Sequence, residues 1–72
     1  MKKLLKSYGF NSDMQYFEMI AESFLNGQYS QAKEQFKAMP KADRKQMIKS
    51  IMSGNWQTTI DHKQLDILFD AL

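Results

Sequence analysis

A chain of 72 residues, 43% hydrophobic and 25% charged, is long enough for one globular domain and too apolar for a disordered tail. At this length only roughly 60% of the unfolded surface leaves water on folding, so stability is modest, and the absence of cysteine excludes both disulfide staples and thiolate metal ligands. A net charge of +2, with a pI near 9.0, is too small to imply a polyanion partner by itself.

The sign of the charge alternates along the chain. Residues 1–12 carry Lys2, Lys3 and Lys6, whereas residues 13–26 carry only the acids Asp13, Glu18 and Glu22. Residues 27–53 are basic and residues 54–72 are acidic through Asp61, Asp66 and Asp70. Attraction between neighbouring helices accounts for this pattern more simply than a polyanion site does.

In the leading segment, Leu4, Leu5, Tyr8 and Phe10 predict a short helical turn laid over the core. Met-Lys-Lys-Leu-Leu resembles the start of a secretory signal, but Lys6, Ser7, Tyr8 and Gly9 interrupt the apolar run that such a signal needs. No stretch approaches the length of a membrane span. The expectation is a soluble cytoplasmic protein.

A helix over about 13–26 opens at Ser12, with Gln15 three residues later in the spacing of a capping box. Asp13 favours the positive end of its dipole. At about 100° per residue, Met14, Tyr16, Phe17, Met19, Ile20, Ala21, Phe24 and Leu25 spread around most of the circumference, which places this helix at the centre of the domain. Asn26-Gly27 ends it, because Gly27 can take the left-handed conformation of a C-terminal cap.

The second helix, about 29–39, carries a stripe of Tyr29, Ala32, Phe36 and Met39 and stops at Pro40. A third, about 42–53, is expected to bury Met47, Ile48, Ile51 and Met52, and Gly54 closes it. The fourth, about 61–72, starts at Asp61 with Gln64 as its reciprocal partner and presents Leu65, Leu68, Phe69 and Leu72 on one side. Ile67 and Ala71 extend that arc. The fold class is therefore all-α, a single-domain bundle of about four helices over residues 1–72, with a short N-terminal helical segment.

Gly27-x-Tyr29-x-x-Ala32-x-x-x-Phe36-x-x-Met39 resembles the turn and second helix of a tetratricopeptide repeat. The resemblance is confined to residues 27–39; it implies a helical-hairpin geometry and a bias toward protein binding. A repeat array is excluded, since a solenoid needs roughly three repeats to be stable.

Two surfaces compete for a functional role. Lys33, Lys37, Lys41, Lys45 and Lys49 recur every four residues, joined by Arg44. They form a solvated border whose stems cover apolar surface, or a basic face in which Lys41, Arg44, Lys45 and Lys49 touch nucleic-acid phosphates without reading sequence. A helix-turn-helix reader is excluded: residues 53–60 are too long a connection, and Asp61, Asp66 and Asp70 would face phosphates.

The other surface is apolar. The arcs of helices 13–26 and 61–72 are wider than a small monomer can cover, which makes Tyr16, Met19, Ile67 and Phe69 the candidate interface with another protein or a second copy. Trp56, in the longest loop, plugs the core or serves as a further anchor. His62 has Asp66 nearby but no nucleophile, and one histidine without cysteine cannot make a structural zinc site. The expectation is a non-enzymatic interaction or regulatory accessory module without cofactor or metal, of the kind found as small bacterial or phage proteins.

Overall fold

The computed structural model describes residues 1–54 and 60–72, and Trp56 lies outside the described residues. Five helices are present among the described residues: α1 (Lys2–Tyr8), α2 (Asp13–Leu25), α3 (Tyr29–Ala38), α4 (Lys41–Ser53) and α5 (His62–Asp70). The all-α expectation holds, and the leading segment proves to be a helix of its own.

The boundaries follow from local chemistry. At the start of α2 the Ser12 hydroxyl accepts from the Gln15 amide while the Gln15 side chain accepts from the Ser12 amide, a closed capping box. Its far end is a Schellman turn. Gly27 stands at φ 76°, the Gln28 amide reaches back to the Ser23 carbonyl at 2.8 Å, and the Gly27 amide bonds that of Phe24 at 3.0 Å. Pro40 ends α3 and also starts α4: its φ of −55° is already helix-compatible, and its carbonyl accepts from the Asp43 and Arg44 amides. For that reason α4 opens at Lys41, one residue before the expected Ala42.

The core is centred on α2, which contributes Tyr16, Phe17, Ile20 and Phe24. Ala32, Phe36 and Met39 meet it from the α3 side, Met47 and Ile48 from α4, and Leu68 and Ala71 from α5 and its end. Leu4, Leu5 and Phe10 pack against this cluster from outside, so α1 and the residues after it form the overlay that the sequence predicts. Tyr8 stacks on Phe10, and both rings meet the Tyr16 ring edge-on.

Polar contacts join α2 to α3. Because Pro40 has no amide hydrogen and the Met39 amide bonds Phe36, the Gln35 carbonyl sits among the orphan acceptors at the end of α3. The Tyr16 hydroxyl donates to it at 2.7 Å. The Ser23 hydroxyl donates to Oε1 of Gln35 at 2.8 Å, with the Met19 carbonyl as a second acceptor at 3.2 Å. A buried tyrosine and a buried serine therefore both bond the same residue of the facing helix.

Four expectations about burial are corrected. Met52, expected in the core, is 67% exposed, because α4 turns Met47, Ile48 and Ile51 inward and Met52 projects beyond them in the last turn. Met14 is 37% exposed in the first turn of α2, and Tyr29 is exposed at the start of α3 although its ring still meets Phe24 edge-on. The largest difference is the rotation of α5. Of the expected apolar arc, Leu68 and Ala71 are buried with Gln64, and Ile67 and Leu72 pack against the core, whereas Leu65 is only half-buried and Phe69 is exposed.

Candidate functional site

The rotation of α5 has a chemical cause. Gln64 accepts from the Asp61 amide at 3.1 Å while its own amide bonds Asp61 Oδ1 at 2.9 Å, which completes the capping box. Its remaining Nε2 donates to the Tyr29 hydroxyl at 3.3 Å, so the side chain that caps α5 also ties it to α3. At the other end, Arg44 of α4 donates from Nη1 to the Ala71 carbonyl at 3.0 Å, placing a cation at the negative pole of α5. These two attachments turn Gln64 and Ala71 inward.

What they leave outward is Phe69, which is 43% exposed. Half-buried Leu65 shares its flank of the helix, whereas Leu72, also half-buried, packs against the core. Asp66 is exposed three residues before Phe69, whereas Asp70 lies toward α3. The flank is therefore apolar with an acidic border.

The four side chains expected to form one interface do not come together. Tyr16 is 0% exposed and committed to Gln35, so it is a core residue and offers nothing to a partner. Met19 is half-buried on α2. Ile67 packs against the core and, with Asp70, lines a shallow cleft of about 220 Å³ against Tyr29, Ser30 and Lys33 of α3, on the opposite side of α5 from Phe69. Phe69 alone stands on an open flank, beside half-buried Leu65. Hydropathy along α5 already contained this pair, but the wide apolar arc gave no means of separating it from the buried side.

The basic face is reduced in the same way. Lys41, Lys45 and Lys49 are exposed at four-residue spacing on α4, and the exposed Met52 continues their line three residues on. Arg44 does not join them, since its guanidinium is turned onto the end of α5. His62 is exposed in the first turn of α5.

Among the described residues no group of three or more His, Cys, Asp or Glu side chains could hold a metal ion, and no helix is long and apolar enough to cross a membrane. Comparison with protein-family models, with curated proteins and with solved structures finds no match to this chain.

Proposed function

We propose that this chain is a non-enzymatic protein–protein interaction module whose partner is a second copy of itself. The observation that carries this reading is the outer flank of α5, where Phe69 is 43% exposed beside half-buried Leu65 while Gln64, Leu68 and Ala71 face the core. A helix normally buries its most apolar side, and an apolar flank left open on a small domain is an ordinary mark of an interface.

Charge selects the partner. The flank of α5 is bordered by Asp66, while the outer line of α4 carries Lys41, Lys45 and Lys49 and ends in exposed Met52. One molecule therefore presents an apolar flank edged by a carboxylate and an outer line of bases. A two-fold arrangement would pair each α4 with the α5 of the other copy and close after two molecules.

Static light scattering across a concentration series is expected to rise from monomer toward dimer mass. Phe69→Ser, at an exposed position, should keep the fold and weaken association by about tenfold or more. A wild-type mass that stays monomeric throughout, or association unchanged by the substitution, refutes the proposal.

The exposed lysine line also supports a second reading, in which the module contacts nucleic-acid phosphates without sequence preference. It predicts retardation of DNA or RNA at low salt that fades steeply as salt is added, with a log–log slope of about −1 per phosphate contacted. Reversing Lys45 and Lys49 to glutamate should abolish it, and absence of retardation at low salt eliminates this reading.

A further inference from the structure

A second surface, separate from α5, has the features of a ligand site. Between the C-terminal half of α2 and the exposed side of α3 runs a groove of about 330 Å³, at the small end of the usual range for ligand pockets. Glu22 and Asn26 line it from α2, Gln31 and Gln35 from α3, and Tyr8 of α1 borders it. Buried Ser23 and half-buried Met19 supply its deeper part. Gln35 is already held by the Ser23 hydroxyl, so part of the lining is set before any ligand arrives.

The electrostatics are one-sided. Among the described residues Glu22 is the only charged side chain in the lining, and the groove runs to Asn26, the C-terminal cap of α2. That helix end is a negative pole, and α2 has no basic residue in its last turn to offset it. An anion would meet the Glu22 carboxylate at the negative end of a helix. An apolar ligand would strip water from the exposed carboxamides of Asn26 and Gln31.

We infer that this groove receives a guanidinium group, the side chain of an arginine in a partner peptide. Guanidinium is planar and carries five donors, which suits a carboxylate surrounded by side-chain amide oxygens, and its face can lie against an aromatic ring such as that of Tyr8. An ammonium is more strongly hydrated and presents no flat face, so lysine is the poorer match. Exposure of Glu22 means that salt should weaken the interaction.

The test is a titration of backbone-amide NMR spectra with N-acetyl-arginine N-methylamide, with the neutral citrulline counterpart in parallel. Saturable shifts are expected at residues 22–31 and at Gln35, and the citrulline compound should bind at least about tenfold more weakly. Glu22→Gln should reduce arginine affinity by about the same factor, whereas Glu18→Gln, an exposed carboxylate outside the groove, should change it less than about twofold. No saturable shift, equal binding of citrulline, or indifference to Glu22→Gln overturns the assignment. None of these outcomes depends on self-association through α5, because the two surfaces share no residue.

Discussion

Phe36→Ala is expected to remove about 3–5 kcal/mol of stability, the usual cost of truncating a buried phenylalanine. Phe36 is 0% exposed and lies between Ala32 and Met39 on the stripe by which α3 meets the α2 core. The cost is large in proportion to the whole. Domains hold roughly 0.05–0.15 kcal/mol per residue, so a chain of this length has on the order of 4–11 kcal/mol in total. No disulfide is present to hold the chain together once packing is lost.

The variant should therefore populate the unfolded state in mild urea and lower Tm by tens of degrees, since each kcal/mol moves Tm by about 4–8 °C in a domain of this size. Urea titration followed by circular dichroism measures the difference. Phe69→Ala is the matched control: the same deletion at an exposed position should cost less than about 1 kcal/mol. Equal losses at the two positions would mean that the interior is not organised around the α2–α3 stripe.

The helix boundaries were legible because each rests on chemistry within a few residues. Ser12 with Gln15, Asp61 with Gln64, Gly27, Pro40 and Gly54 each act on the backbone beside them, and all five stand where the corresponding helix starts or stops. The inward side of each helix was harder to read, because it depends on partners far away in sequence. Gln64 is a polar residue between Ala71 and Leu68 on a helical projection, and what satisfies it there is not local: it is 7% exposed and bonded to Tyr29, 35 residues earlier.

Phe69 is its counterpart on the outer flank. Periodicity measures the width of an apolar arc and is silent on which part a neighbour will cover, so Ile67 and Phe69 looked equivalent although they face opposite sides of α5. Arg44 illustrates the same point for charge. Its spacing with Lys41, Lys45 and Lys49 suggests one basic face, and only the packing of α4 on α5 reveals that it caps the Ala71 carbonyl. The guanidinium groove was not legible at all, since its residues come from three helices and Glu22, Asn26 and Gln31 are each, taken alone, ordinary polar surface positions.

Tyr16 gives the pH dependence that most directly tests the α2–α3 junction. Burial, with a smaller contribution from the neighbouring Tyr8, pushes its phenol from the ordinary 10.0 up to about 12. In the unfolded chain the phenol loses its proton near 10, while in the folded protein it keeps it to about 12. Between those values the native state binds one more proton than the unfolded state, so stability must fall as pH rises. The contribution is fully present below pH 10 and is lost by the time the folded phenol ionises, an overall loss of about 2–3 kcal/mol. Ionisation also destroys the donor that the Gln35 carbonyl relies on, which is why the loss belongs to this junction. Tyr16→Phe should cost about 1–3 kcal/mol at neutral pH by leaving that carbonyl unpaired, and should then lose less than the wild type between pH 10 and 12. Urea unfolding of both proteins across that range cancels every effect common to them. An ultraviolet phenolate titration adds an independent reading: its highest-pH phase should vanish in Tyr16→Phe. Parallel stability curves for the two proteins, or a phenolate titration with no delayed phase, would show that Tyr16 is solvated and that the end of α3 is held by something else.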